Sequence, residues 1–161
     1  MLNCPEFKNE LIFHYTSSDD PKMISNAVTL ICCFQVVILK RSAEKAWEGF
    51  MKYESRLKGF RDASQGPCTY KMKAFEVVKG LEIAIKLGWY DFAKFNHLEY
   101  EYFERVQNGD LNWIIPGKFV AFMGPCGRKR KAGDPYKTTP EDYVKTFDKW
   151  GVRHVVRLNQ E

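Results

Sequence analysis

The chain has 161 residues, of which 45% are apolar and 28% are charged, and its formal net charge is +5. This balance excludes an intrinsically disordered chain, and the longest apolar run, 27–39, is too short to cross a bilayer. Five cysteines, an odd number that includes the adjacent Cys32 and Cys33, favour reduced thiols, and the N-terminus lacks a secretory pattern. We therefore expect an intracellular protein, cytoplasmic or cytoskeletal with the nucleus as the alternative, and no membrane partner.

The first half of the chain is predicted to form one strand and three helices. Ser42 has the side chain of an N-cap, and Gly88 is placed to end the third helix. Apolar residues recur at helical spacing in the segments between these signals. The predicted elements are a strand over 10–15, a polar turn over 16–21, a helix over 22–39, a helix from Ser42 to about Tyr53, a loop over 60–69 and a helix over 70–87.

The second half is predicted to form two helices and three strands. Asn108 and Gly109 end the first of these helices, and Thr139 followed by Pro140 is a strong signal for the start of the second. The predicted elements are a helix over 97–106, strands over 113–115 and 119–123, a basic loop, a helix from Thr139 to about Trp150 and a strand over 152–158.

This alternation of helices and strands indicates an α/β fold that is helix-rich and has incomplete sheets. A parallel sheet is stable when both of its faces are covered and its strands are paired, and this chain supplies too few strands for that. We therefore expect the chain either to be stabilised by a partner or to be a piece of a larger protein.

Charge is distributed unevenly along the chain. The segment 97–110 carries four carboxylates and one arginine, whereas the segment 125–137 carries five basic residues and one aspartate. Two faces with different partners would explain this pattern, and two ordinary solvated surfaces would explain it as well. The basic patch is a candidate for nuclear import or for contact with nucleic acid or an acidic tubulin-like surface, but a solvated loop is favoured and nucleic acid is not expected. Its residues are Arg128, Lys129, Arg130 and Lys131.

Four sequence blocks closely resemble the cell-division-cycle-fourteen family of dual-specificity phosphatases. These blocks are Phe60-Arg-Asp-Ala-Ser64, Glu99 to Phe119, Thr139-Pro-Glu-Asp-Tyr143 and Val155 to Asn159, and the match covers nearly the whole chain from about Glu10. The resemblance implies a partial dual-specificity-phosphatase-like fold. It divides the chain into a non-catalytic domain over 1–96 that lacks its first strands, a connecting helix over 97–110 and the beginning of a catalytic domain over 111–161.

The cysteines of this chain lack the spacing that a cysteine phosphatase requires. Such an enzyme holds a thiolate six residues before an arginine, and the loop between them wraps the phosphate. Six residues after the five cysteines, in chain order, stand Glu10, Ile38, Leu39, Ala74 and Ala132. We therefore expect no catalytic residue and no enzymatic activity in this chain, and the resemblance puts the family's catalytic residues past its end. The three histidines are far apart and no cysteine pair has ligand spacing, so neither a metal nor another cofactor is expected.

The segment from His14 onward has the order of a phosphate-binding loop, in which a strand and a loop precede a helix N-terminus. By the resemblance, Tyr15 takes the cysteine position and Pro21 takes the arginine position. Asp19 and Asp20 would repel phosphate. We interpret this segment as a degenerate phosphate loop, and a plain structural turn is the alternative.

The resemblance also implies an acidic groove for peptides with a basic residue after phosphoserine-proline. Glu101 and Glu104 match the connecting helix, and their spacing places them on one helical face. Asp62 matches the acidic residue of the first domain, while Gln107 replaces a glutamate common in relatives and weakens the field. Carboxylates that converge on a groove would attract lysine or arginine. The alternative is that these are ordinary solvated carboxylates of a helix with no binding role.

Three functions follow from these patterns. The first is a non-catalytic protein-binding or scaffold module that resembles the substrate-recognition part of a phosphatase. The second is a structural component of a large assembly, such as a microtubule or a ciliary axoneme complex, in which neighbours complete the sheets. The third is a fragment or isoform of an active phosphatase directed at phosphoserine-proline. All three imply protein partners, with basic or phosphoserine-proline peptides among the candidates.

Overall fold

The computed structural model describes residues 5, 8–17, 19–62, 66–125 and 138–158. Two compact units divide the chain, Met1–Leu87 and Gly88–Glu161. Both are helix-rich with short two-stranded sheets, so the predicted α/β class with incomplete sheets is confirmed. In the described part, no helix is both long and apolar enough to cross a membrane.

Three helices form the first unit: α1 (Pro21–Val37), α2 (Ala43–Trp47) and α3 (Ala74–Lys86). Ser42 caps α2 as predicted, because its hydroxyl accepts a hydrogen bond from the Lys45 N–H at 3.1 Å. The second helix is shorter than predicted, since the α-helix gives way at Glu48 to a 3₁₀ helix, Glu48–Arg56. No residue of that 3₁₀ helix is buried, so no packing opposes the tighter winding.

The core of the first unit lies between these helices. Trp47 stacks on Phe75 with ring centroids 5.3 Å apart. The Ser25 hydroxyl donates to the Pro21 carbonyl at 2.7 Å and accepts from the Lys58 N–H at 2.7 Å, which ties the chain after the 3₁₀ helix back to α1. The buried core residues are Val28, Cys32, Val36, Ala43, Ala46, Trp47, Ala74 and Val78.

A two-stranded ribbon forms where a loop was predicted. Strands β1 (Phe60–Arg61) and β2 (Lys71–Met72) pair antiparallel, with Phe60 opposite Met72. Phe60 packs against the helical core, which holds the ribbon in place. Because β2 occupies the predicted start of the third helix, α3 begins at Ala74 rather than at residue 70.

The second unit contains α4 (His97–Phe103), a 3₁₀ turn (Val106–Asn108), strands β3 (Asn112–Ile115) and β4 (Phe119–Ala121), and α5 (Pro140–Trp150). Strands β3 and β4 form the two predicted strands and pair antiparallel. Helix α5 starts and ends as predicted: the Thr139 N–H and hydroxyl both donate to the Asp142 carboxylate, and Gly151 has φ +67°.

Tyr143 holds the interior of the second unit together. Its hydroxyl lies 2.9 Å from the Gly109 carbonyl and 2.9 Å from the Met123 carbonyl, so one buried side chain joins α5 to two loops. Its ring stacks on Phe147 at 5.3 Å and meets the edge of Phe122 at 5.0 Å. With these contacts, Tyr143 is buried at 2% exposure.

Two predicted strands are wrong. Residues 10–15 and 152–158 run without a turn or bend, and neither segment pairs with a strand in the described part of the chain. Apart from the half-buried Val152, their side chains are exposed, because the two sheets in the described part of the chain have two strands each and include neither segment. The parallel sheet considered in the sequence analysis does not form in the described part of the chain, where both sheets pair antiparallel.

Candidate acidic peptide-binding surface

Helix α4 positions the two predicted glutamates, since it contains Glu101 and has Glu104 as its C-cap residue. Asn96 caps its start, with the side-chain oxygen accepting from the Glu99 N–H at 3.2 Å. Its other end is closed by the Asn108 side chain, which donates to the Tyr102 carbonyl at 2.6 Å. Phe103 packs edge-on against Trp150 at 4.7 Å and anchors this helix to its unit. The helix is therefore positioned from both ends and from one side.

Glu101 and Glu104 are both exposed to solvent. Glu104 is the C-cap residue, and its backbone N–H donates to the Tyr100 carbonyl at 2.9 Å. Within the described residues, the Glu101 side chain makes no hydrogen bond or ion pair. A carboxylate in that state is available to an approaching cation.

The Glu104 carboxylate affects the titration of Tyr100, four residues before it. A hydrogen bond from the Tyr100 hydroxyl to the Glu104 carboxylate raises the pKa of Tyr100, and burial and the negative charges of Glu104 and Asp110 raise it further. The Tyr100 hydroxyl therefore stays protonated across the physiological range. The spacing of four residues could have revealed this pair in the sequence, but the tyrosine was not singled out.

Exposed aromatic side chains lie on α4 and directly before it. Phe95 lies 5.5 Å from the Tyr100 ring and 6.0 Å from the Tyr90 ring, as measured between centroids. Phe95, Leu98 and Tyr102 are all largely exposed. Exposed aromatic faces next to carboxylates bind lysine and arginine side chains through their methylenes and through cation–π attraction.

Asp62 lies in the first unit, directly after β1. Its carboxylate is 3.7 Å from the Arg61 guanidinium, which also donates to the Gly66 carbonyl at 2.9 Å. The neighbouring cation offsets part of the negative charge of Asp62, so its field is weaker than that of Glu101. The groove predicted from Asp62, Glu101 and Glu104 together stays a prediction, because the three residues belong to two different units.

The predicted phosphate-loop segment leads directly into α1. Pro21 is the first residue of the helix, Tyr15 is exposed, and the His14 Nε2 atom lies 3.1 Å from the Ala27 carbonyl oxygen. The Asp20 carboxylate accepts a hydrogen bond from the Lys22 N–H at 2.8 Å. A side chain of this protein thus occupies an amide of the helix N-terminus that an anion would otherwise use. The basic patch Arg128 to Lys131 lies outside the described residues.

The cysteines on α1 have the environment of structural thiols. Cys32 is fully buried, and its Sγ lies 3.4 Å from the Ala46 carbonyl oxygen. Burial, with a smaller contribution from Cys33, raises the pKa of Cys32 to about 11, and burial also raises the pKa of Cys33. Both thiols are therefore protonated at neutral pH and are poor nucleophiles.

Alkylation by iodoacetamide at pH 8 should accordingly be slow at Cys32. A pKa near 11 leaves about a hundredth of the thiolate that a thiol with a pKa of 9 has at this pH. Peptide mapping by mass spectrometry should show slow labelling of Cys32 in the folded chain and fast labelling in urea. The half-buried Cys68 provides the internal comparison. Equal labelling rates for Cys32 with and without urea would contradict the buried, protonated state.

Comparisons with known proteins match most of the chain. Residues 1–84 match the family model described as "Dual specificity protein phosphatase, N-terminal half". The chain is 40% identical over 151 residues to the dual specificity protein phosphatase CDC14A of Mus musculus, a match that covers 93% of this chain and 25% of the relative. It is 39% identical over 140 residues to the tyrosine-protein phosphatase cdc-14 of Caenorhabditis elegans, covering 86% of this chain and 20% of the relative. The chain thus spans about a quarter of the length of the curated relatives it matches. These matches confirm the resemblance found in the sequence.

Proposed function

The chain belongs to the family of the dual specificity protein phosphatases, whose N-terminal half it matches, and on that premise we propose that it is a non-catalytic protein-binding module. Its ligand is a peptide with a lysine or arginine downstream of phosphoserine-proline. The observation that carries this proposal is the surface of α4 and its C-cap, which exposes the carboxylates of Glu101 and Glu104 together with the side chains of Tyr100 and Tyr102. The matched relatives are named as protein phosphatases, which supports a phosphorylated protein segment as the ligand.

A binding role rather than an enzymatic one is supported by the cysteines. None of the five has an arginine six residues later, and the pKa values of Cys32 and Cys33 are raised. The side chain that accepts from the N-terminal amide of α1 is a carboxylate, which disfavours a bound phosphate. In this proposal the division into 1–96, 97–110 and 111–161 is kept, and the degenerate loop of His14, Tyr15 and Pro21 is structural.

Two carboxylates on α4 are expected to act on a basic side chain through charge. Each exposed ion pair contributes about 0.2–1 kcal/mol, so removing both should weaken binding by roughly tenfold at low salt. The aromatic faces contribute to the affinity without this dependence on salt. The affinity should therefore fall with ionic strength in the parent chain and should fall less in a variant that lacks the two charges.

Fluorescence anisotropy with a labelled phosphoserine-proline peptide that carries a downstream lysine tests this proposal. The double variant Glu101→Gln with Glu104→Gln should bind about tenfold more weakly, and replacing the peptide's lysine with alanine should abolish the difference between the two proteins. A double variant at the exposed Glu44 and Glu54 of the first unit changes the net charge equally and should bind like the parent. An equal loss of affinity in this control would mean that the peptide is attracted nonspecifically by negative charge. No loss of affinity in either variant would mean that the carboxylates of Glu101 and Glu104 do not take part in binding. Asp62→Asn, measured separately, reports whether the first unit takes part.

A structural role in a large assembly is the second candidate, and the exposed apolar segments 11–15 and 152–158 favour it. Neighbouring proteins in a microtubule-associated or axonemal complex would cover them. Association with such a polymer that survives high salt would support this role, whereas binding of the basic peptide would weaken with salt.

Because the relatives are about four times longer, a piece of an active phosphatase is the third candidate, and its activity would belong to the whole protein.

A further inference from the structure

The ribbon of β1 and β2 lies in a strongly basic stretch of the first unit. Residues 56–73 carry five basic side chains and one carboxylate, that of Asp62, and residues 63–69 carry no charge. A segment this short with one dominant sign of charge attracts ligands of the opposite sign. Its basic residues are Arg56, Lys58, Arg61, Lys71 and Lys73.

Three of these cations share one face of the ribbon. Phe60 lies opposite Met72 and packs against the helical core. Arg61 lies directly opposite Lys71, and because successive side chains of a strand alternate, this pair points away from the core. Lys73 follows two residues after Lys71 with extended backbone angles, φ −75° and ψ 150°, and shares its side. We call the exposed side chains of Arg61, Lys71 and Lys73 the cationic face.

The two lysines of the cationic face lack a counter-ion. Neither ammonium group, that of Lys71 or that of Lys73, makes an ion pair with a residue that the structure describes. Gly59 adds no side chain to cover them, although a Cβ atom at this position would lie 3.0 Å from the Lys71 Cβ atom. The lysines are therefore open to an anion from solution.

Two carboxylates adjoin the cationic face, and each already has a donor. The Asp62 carboxylate lies 3.7 Å from the Arg61 guanidinium. The Glu76 carboxylate accepts a hydrogen bond from the Lys73 backbone N–H at 2.6 Å. These carboxylates offset part of the positive charge, that of Arg61 in particular, and an excess of positive charge remains at Lys71.

The pairing of Arg61 with Lys71 lowers the stability of the ribbon. Like charges directly opposite each other on neighbouring strands repel, since their Cβ atoms are about 4.5–5.5 Å apart. An anion placed between the two side chains converts this repulsion into two attractions. A ribbon whose strands have two residues each thus retains an unfavourable pair that an anionic ligand would relieve.

The spacing of the lysines fits an extended acidic segment. Lys71 and Lys73 are two residues apart on an extended chain, about 6.6–6.8 Å. Alternate side chains of an extended peptide have the same spacing, so carboxylates at alternate positions would each meet one lysine. Apolar structure does not cover such a face, because removing unpaired charges from water is unfavourable. Exposed ion pairs are weak and sensitive to salt, which suits a separate partner that binds reversibly.

We propose that the cationic face docks an extended segment of a partner protein that has glutamate or aspartate at alternate positions. The charge of this ligand is opposite to that of the basic peptide expected at α4, so the inference is independent of the proposed function. Because each exposed ion pair contributes little, the docking is weak, with a dissociation constant in the micromolar range or above, and it weakens as salt is added.

Fluorescence anisotropy of the full chain with a labelled peptide that contains Glu-Thr-Glu-Thr-Glu tests the docking at low salt. Lys71→Gln with Lys73→Gln should raise the dissociation constant about tenfold. Lys40→Gln with Lys52→Gln removes the same charge from exposed positions elsewhere in the first unit and should bind like the parent. An equal loss of affinity in this control would overturn the proposal, and so would the absence of any binding by the parent.

Lys71→Glu separates docking from folding. The substitution places a carboxylate opposite Arg61, where opposite charges form a favourable cross-strand pair. The melting temperature followed by circular dichroism should therefore stay the same or rise, while the affinity for the acidic peptide should fall by more than tenfold. A lower melting temperature would contradict the repulsion between Arg61 and Lys71, and an unchanged affinity would contradict the docking.

Two further probes define the ligand. A peptide of the same composition with its glutamates adjacent, Glu-Glu-Glu-Thr-Thr, should bind more weakly than the alternating peptide, because only alternate carboxylates match the spacing of the lysines. Equal binding of the two peptides would overturn the extended arrangement. Inorganic phosphate or a short single-stranded oligonucleotide that bound more tightly than the alternating peptide, with the same dependence on Lys71 and Lys73, would show a general anion site and overturn the assignment to a protein segment.

Discussion

Replacing Gly109 with alanine should destabilise the second unit by about 3 kcal/mol or more. Gly109 has φ +102° and ψ 2°, a conformation that L-residues rarely adopt. A Cβ atom at this position would lie only 2.6 Å from Cε1 of Tyr143. Tyr143 cannot move away freely, because its hydroxyl lies 2.9 Å from the carbonyl oxygens of Gly109 and Met123, which share its one proton, and its ring is stacked on Phe147. Backbone strain and a steric clash therefore add at one site.

Gly117→Ala separates these two effects. Gly117 also has a positive φ, +72°, but nothing lies within 4 Å of its missing Cβ atom. The substitution should therefore lower the free energy of unfolding only by the backbone strain of an alanine in the left-handed conformation, about 1–2 kcal/mol. Urea unfolding followed by tryptophan fluorescence measures both losses, since Trp113 and Trp150 lie in this unit. Similar losses in the two variants would show that the contact with Tyr143 contributes little.

The loss of Trp47 should have the largest effect on the first unit. Its ring is 5% exposed and stacks on Phe75 at the centre of the three-helix core. Truncation to alanine removes the transfer free energy of the indole and leaves a cavity, which together cost about 3–5 kcal/mol. The neighbouring core side chains Ala43, Ala46 and Ala74 are too small to fill the space. The helices of this unit should therefore melt at a much lower temperature.

Met51→Ala provides the comparison on the same stretch of chain. Met51 lies one turn beyond Trp47 on the 3₁₀ helix and is 61% exposed, so its truncation should change the free energy of unfolding by less than about 0.5 kcal/mol. Thermal unfolding followed at 222 nm compares the two variants. If Trp47→Ala and Met51→Ala unfolded at the same temperature, the three-helix core would not be the source of the stability of this unit.

Helix boundaries could be predicted from the sequence wherever a short-range signal defines them. The hydroxyl of Ser42, the Thr139-Pro140 pair and the left-handed Gly88 and Gly151 act within one turn, so their effect does not depend on the rest of the fold. The placement of Glu101 and Glu104 on one helix follows from the same local geometry.

Strand pairing was predicted less well, because it depends on residues far along the chain. The apolar runs 10–15 and 152–158 have strand composition, yet each needs a neighbour that the described sheets do not provide. The ribbon of β1 and β2 was missed for the opposite reason: its two-residue strands carry too few residues for an alternating pattern. The effect of Glu104 on the pKa of Tyr100 was likewise not anticipated from the sequence.

The 3₁₀ helix Glu48–Arg56 also determines how far the first unit reaches. A 3₁₀ helix advances about 2.0 Å per residue, whereas an α-helix advances about 1.5 Å, so nine residues gain roughly 4–5 Å of length. After this longer stretch, the backbone N–H of Lys58 lies 2.7 Å from the hydroxyl oxygen of Ser25. The 3₁₀ helix therefore acts as a spacer whose length depends on its number of residues more than on their side chains. Point substitutions in it should be tolerated far better than the insertion or deletion of one residue.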